Sequence, residues 1–198
     1  EVPISLPPNG SVFVVFQRPA PATPPAAKKP GPAPTPLPLN GPWTADFDGG
    51  PKSVAFPQLS SWTTHANTAL KHYSGTAIYR TTFQLPANWR RSGFTPHIDL
   101  GNLWNIGEVW LNGKPLGVAW TFPFTVNASS ALQEGENQLV VEVTNTWFNR
   151  LVGDAKLPPE QRTTRTNVTV SGGKPWAQHE PMPSGLFGPV RLVAEPAR

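Results

Sequence analysis

The chain lacks cysteine altogether, so no disulfide supports its fold and no thiolate can bind a metal. That absence does not by itself identify a compartment. Charge is sparse, at 14% of residues. The net charge is +4, yet no basic run is longer than the pairs Lys28-Lys29 and Arg90-Arg91. A nucleic-acid surface, which needs many phosphate contacts, is therefore unsupported. No apolar stretch approaches the roughly 20 residues that span a bilayer. His65, His72, His97 and His179 show neither HxH nor HxxxH spacing, which argues against a zinc site. No glycine-rich phosphate loop leads from a strand into a helix. The chain also lacks an initiator methionine and a signal-peptide pattern, so it reads as an excised piece or mature fragment of something longer.

What is present in quantity is proline, at 26 residues, and tryptophan, at 8. Prolines oppose long helices and central strand positions. Tryptophans serve cores, and they also serve surfaces where a flat ligand face must be stacked, such as the C–H face of a sugar ring. Three zones follow from composition. Residues 1–18 contain the β-branched and aromatic run Val12–Phe16 after a Pro-Pro-Asn-Gly turn, which predicts a buried strand. It belongs either to the end of a preceding domain or to a strand docked on the main one, since a strand this apolar aggregates if left alone. Residues 19–38 are rich in Pro and Ala and predict a semi-rigid linker. Residues 39–198 carry the compact domain, long enough for a well-buried core.

Inside that domain the period is two. Tyr79, Thr81, Phe83 and Leu85 share a face, as do Leu139, Val141 and Val143; Ile98 and Leu100, the set Phe122, Phe124 and Val126, and Val190 with Leu192 add shorter pieces. Only Ser129–Gln133 has room for a helical turn. Short strands at regular spacing predict an all-β fold, an antiparallel β-sandwich. Glu108–Trp120, EVWLNGKPLGVAW, predicts a hairpin turning at Asn112-Gly113. Val109 and Leu111 form its apolar face, with Leu116 and Val118 expected to continue it on the return strand.

The hairpin residues resemble the sugar-binding β-sandwich domain of family 2 glycoside hydrolases. Ser74–Arg80 (SGTAIYR), the turn Gly135-Glu136-Asn137, Asn149–Asp154 (NRLVGD) and Ser184–Val190 (SGLFGPV) then follow in an order similar to the C-terminal region of bacterial multidomain α-L-rhamnosidases. The likeness runs over roughly Gly41–Val193, and Ser11–Phe16 resembles the strand just before it in those enzymes. The resemblance implies a jelly roll of the galactose-binding-domain-like kind attached to a catalytic barrel, in a secreted or periplasmic bacterial enzyme. The Pro-rich insertion departs from that pattern and suggests a tethered module.

The candidate site is the segment after the Leu139–Val143 strand, where Trp147, Asn149, Arg150 and Asp154 combine a stacking face with polar groups for hydroxyls. The competing reading is that Arg150 and Asp154 pair with each other and merely pin a loop. Trp62 and Trp104 are the further stacking candidates, although for Trp62 a plug at the end of the core is the favoured reading. A glycosidase needs two facing carboxyl groups, about 5–5.5 Å apart for retention or about 6.5–9.5 Å for inversion. No spacing joins Asp99, Glu108, Asp154 and Glu180 into such a pair, so the fragment reads as noncatalytic. No cofactor is expected. A structural Ca²⁺ has its closest sequence approach at Asp46 and Asp48, where a turn is the simpler meaning. The expected partners are an oligo- or polysaccharide and the catalytic domain of the same parent chain, with neither nucleic acid nor membrane. The rival readings are a structural domain that packs on the catalytic domain without binding sugar, and one that lends a loop to its active site.

Overall fold

The computed structural model describes residues 4, 6, 10–17 and 31–197. Much of the expected linker, residues 19–30, lies outside these. In chain order the strands are β1 Leu37–Pro38, β2 Trp43–Phe47, β3 Val54–Phe56, β4 Thr76–Leu85, β5 Phe94–Asp99, β6 Asn102–Trp104, β7 Ile106–Leu111, β8 Lys114–Ala119, β9 Thr125–Asn127 and β10 Gly135–Thr144. One α-helix, α1, spans Phe148–Ala155, followed by β11 Val170–Ser171, β12 Lys174–Pro175, β13 Gly185–Gly188 and β14 Arg191–Pro196. A six-stranded sheet in the order β3-β2-β4-β10-β7-β8 faces a four-stranded sheet in the order β1-β14-β5-β9. All named pairings are antiparallel. The chain is thus an antiparallel β-sandwich, as its alternation predicts.

The core is built from the alternating positions. Tyr79, Leu85, Leu139, Val141 and Val143 point inward from β4 and β10, and meet Ile98 and Leu192 of the opposite sheet in one apolar cluster. The Asn112-Gly113 turn has positive φ at both residues, 51° and 75°, the geometry that matches the twist of a two-residue hairpin. Asn112 also donates from Nδ2 to Asn137 Oδ1 and to Ala131 O, both at 2.9 Å. The buried Asn137 amide donates to Gln133 O and Gly135 O in turn, so the hairpin is stitched to the turn that precedes β10.

Four expectations change. First, Val12–Phe16 forms no strand; it is exposed, with Phe13 at 96%. Second, the register of β7 with β8 shifts between Val109 and Trp110, leaving an extra residue on β8. The bulge flips the faces beyond it. Leu116 stays packed on the core, Val118 turns outward opposite Glu108, and Ala119 takes the inward place. Third, α1 occupies a stretch predicted as loop. It is short and contains Asn, Gly and Asp, all poor helix formers, so packing rather than propensity creates it. Fourth, packing begins before Leu39, because Pro34 is buried and Trp89 Nε1 donates to Thr35 O at 3.0 Å. The Asp46–Gly50 stretch forms the turn between β2 and β3, where Asp46 accepts from Arg80 at 2.7 Å and from the Ser53 N–H at 2.8 Å.

Gly185 sits over the indole of Trp62 with φ +107°, and a Cβ there would lie 2.4 Å from Trp62 Nε1. Gly185→Ala is expected to lower stability by more than about 1 kcal/mol, read as a lower midpoint in urea with an unchanged slope.

Candidate functional site

The register places one set of loops together. Thr144, the last residue of β10, pairs with Ile106 at the start of β7 and with Thr76 at the start of β4, while Ala119 ends β8 opposite Gly107. Loops 71–75, 101–105, 120–124 and 145–184 therefore emerge at the same end of the sandwich. The long excursion from Asn145 to Ser184 carries α1 and the β11–β12 ribbon, and it is tied down by side-chain amides. Asn145 donates to Tyr73 O (3.0 Å) and Ser184 Oγ (3.1 Å), and accepts from the Gly75 N–H (2.9 Å).

The sequence-predicted residues divide sharply here. Trp62 is 0% exposed, donates its indole N–H to Tyr79 Oη, and packs edge-on against Phe47 and Tyr73 with centroids 5.2 and 5.5 Å away. It plugs the core and has no face for a sugar. Asn149 is buried as well. Its Nδ2 donates to Met182 O (2.8 Å) and Ser184 Oγ (3.0 Å), and its Oδ1 accepts from the Met182 N–H (2.7 Å). Asp154 does not pair with Arg150. Its carboxylate accepts from the backbone N–H groups of Thr163 (2.9 Å) and Thr164 (2.6 Å) and from both threonine hydroxyls. Burial alone would raise the Asp154 pKa, but these hydrogen bonds outweigh it and hold the carboxyl below the usual range. Asn149 and Asp154 are thus fasteners that shape the excursion. Arg150 is half-buried, and its backbone N–H donates to Ser74 Oγ at 3.1 Å.

Trp147 behaves differently. It stands at the start of α1, 68% exposed, and with Leu151 on the next turn it walls a cleft of about 350 Å³. The opposite wall is Thr163–Thr166, the strip that Asp154 clamps, including Arg165. An indole face, hydroxyls and a guanidinium meet there, which suits a polyol ring. On the other side of the same strip a larger cavity of about 680 Å³ is bordered by Arg162, Arg165 and Trp176. Trp176 is held by Phe148 (5.5 Å) and His179 (5.9 Å) and donates to Val168 O. Trp104 is 41% exposed but lines a different cleft, beside Trp120. The threonine strip and Trp120 escaped sequence reasoning. The first is defined by a contact between residues ten apart, and the second by the bulge in β8.

No protein-family model matches the chain. A putative β-glucuronidase of Formosa agariphila is 36% identical over 181 residues, which is 80% of this chain and 16% of that protein. A rhamnosidase from Novosphingobium sp. PP1Y superposes with a TM-score of 0.69 at 31% identity, covering 84% of this chain and 15% of that one. A β-D-glucuronidase of Dictyoglomus thermophilum shares the fold at a TM-score of 0.57 and 21% identity, with 85% and 29% covered. The chain is similar to a β-sandwich segment carried within glycoside hydrolases, and it spans about a sixth of the length of the first two. Among the described residues, no helix is long and apolar enough to cross a membrane.

One half-buried group, His72, makes the underside of α1 sensitive to pH. Gly153 packs so closely on His72 that a Cβ would lie 2.7 Å from the ring, and His72 Nδ1 has no hydrogen-bond partner among the described residues. Burial lowers the His72 pKa, with Lys156, Lys71 and Arg150 adding to the effect and the Asn149 backbone partly opposing it. A depressed histidine resists protonation only in the folded state. Its share of stability is therefore complete above about pH 6.5 and is lost as pH falls below that. Thermal melts of the protein and of His72→Gln are expected to differ in pH dependence between about pH 7.5 and pH 5, with the variant losing less on acidification.

Proposed function

We propose that the chain is a noncatalytic carbohydrate-binding module of a secreted or periplasmic bacterial glycoside hydrolase, with a rhamnosidase-like parent acting on plant or bacterial polysaccharide. The observation that carries the reading is the Trp147 cleft: an exposed indole facing a clamped strip of threonine hydroxyls with Arg165 on it. An exposed tryptophan is held only by what it later contacts, so its placement beside fixed polar groups favours a ligand-stacking role. Trp147, Leu151, Thr163–Thr166 and Arg165 form the proposed contact surface. Arg150 is retained as the second guanidinium of the same helix-and-loop unit, while Asn149 and Asp154 position it. The sandwich is read as galactose-binding-domain-like, with the Pro- and Ala-rich residues 19–33 as its tether, since Pro34 to Pro38 already pack on it, and with residues 1–18 as the end of a preceding domain.

A second reading draws on the exposed apolar run Val12–Phe16. In the parent chain this segment would add to a sheet of the neighbouring catalytic domain, because its edge groups and side chains are otherwise left to water. The two roles are compatible, since they use different parts of the chain.

Titration of the 198-residue chain with plant and bacterial polysaccharides, by calorimetry and affinity electrophoresis, is expected to give saturable binding. Trp147→Ala should weaken it about tenfold or more while leaving the melting temperature nearly unchanged, since the side chain is exposed. Asp154→Ala should also weaken binding, but through a loosened strip, seen as faster proteolytic nicking around Thr163–Thr166. Absence of binding across the panel would remove the carbohydrate reading and leave the packing one. Sugar cleavage by the chain alone would overturn both.

A further inference from the structure

The same loop end holds a second cleft of opposite chemical character. β6 ends at Trp104, and β8 leads into Trp120; Ile106 and Trp120 flank the paired residues Gly107 and Ala119, so the two indoles border one hollow of about 420 Å³. Its remaining lining includes Asn102, Asn105, Ile106 and Phe124, and no ionisable side chain. Trp120 is 70% exposed. Neither indole N–H has a partner among the described residues, unlike Trp43, Trp62, Trp89 and Trp176. The amides are also available. Among the described residues, Asn102 Nδ2 makes one long contact, 3.4 Å, to Gly188 O, and the Asn105 side chain has no partner, its backbone N–H donating to Thr144 O. Glu108, the next outward residue of β7, pairs with Val118 and stays outside the lining.

We propose that the Trp104–Trp120 cleft is a second carbohydrate subsite, selective for an uncharged pyranose. The inference rests on the module being a sugar binder. It goes further by assigning a separate site and the class of ring it takes. The two indoles that border the hollow offer faces to the C–H side of a ring, and the two amides meet its hydroxyls as both donors and acceptors. With no charge in the lining, a carboxylate or sulfate would lose hydration there without an ionic partner, so charged sugars are disfavoured. The Trp147 cleft, by contrast, has Arg165. Two subsites of different polarity at one end would let a single module hold two residues of one polysaccharide, and binding both raises avidity without new contacts.

The test uses the ¹H–¹⁵N resonances of the indole N–H groups in the 198-residue chain. Methyl β-D-glucopyranoside and methyl α-L-rhamnopyranoside are the neutral probes, and D-glucuronate the charged one. The neutral probes are expected to shift the Trp104 and Trp120 resonances saturably. Their affinity should not change between low salt and about 1 M NaCl. Trp120→Ala should weaken neutral binding about tenfold without altering the melting temperature or the response at Trp147. Shifts confined to Trp147, with Trp120→Ala silent, overturn the second subsite and leave the first standing. Salt-sensitive binding of D-glucuronate at Trp104 and Trp120, stronger than that of the neutral probes, overturns the uncharged class. Concentration-dependent broadening of Trp120 without any sugar response identifies a self-association face and overturns the subsite. Silence at all three indoles removes both this inference and the carbohydrate reading on which it rests.

Discussion

The packing of Trp62 beneath Gly185 is the constraint on which the rest of the molecule depends. The indole lies against Phe47 of β2 and Tyr73 of the loop before β4, donates to Tyr79 of β4, and crowds the glycine that opens β13. Its own backbone N–H donates to Ser184 O at 2.9 Å. One side chain thereby joins the six-stranded sheet to the far end of the excursion, across more than a hundred residues of sequence. Burying an indole contributes several kcal/mol only when its N–H is satisfied. Tyr79 supplies that acceptor, and burial in turn pushes the Tyr79 phenol pKa up, keeping it neutral.

From this anchor the functional end is assembled by amides rather than by apolar mass. Ser184, fixed by Trp62, receives Asn145 and Asn149; Asn149 holds the Met182 backbone on both sides; Asp154 clamps Thr163 and Thr164. A forty-residue excursion cannot bury enough apolar surface to order itself. Buried, fully satisfied polar groups do it instead, and they specify one arrangement because any other would leave them unpaired in a dry environment. The exposed indoles of Trp147 and Trp120 then stand on a fixed base, as a binding surface requires.

Much of this was legible beforehand. The alternation at Tyr79–Leu85 and Leu139–Val143 and the Asn112-Gly113 turn report local backbone geometry, and each appears where the pattern places it. The resemblance to the rhamnosidase region drew attention to NRLVGD and SGLFGPV, and both lie in the excursion or at its exit. The sequence pattern assigns Asn149 and Asp154 of NRLVGD to sugar hydroxyls, whereas in the fold both bond within the excursion. In NRLVGD the buried Asn149 and Asp154 bond to backbone and hydroxyl groups of the excursion, Arg150 and Leu151 are half-buried, and Trp147 beside them is exposed. Nothing in composition distinguishes an asparagine that binds a hydroxyl from one that binds a distant carbonyl.

The sequence by itself determined the strand-rich class and the hairpin, because a period of two and a turn dipeptide act within a few residues, and it supplied eight tryptophans without placing them. Only the tertiary structure decided which tryptophans face water. Trp62 went inside because Gly185 leaves space for it and Tyr79 accepts its N–H. Trp120 went outside because the extra residue in β8 shifted the pairing of the strand that leads to it. Both outcomes depend on partners far away in sequence, where packing and register act and local pattern has no reach.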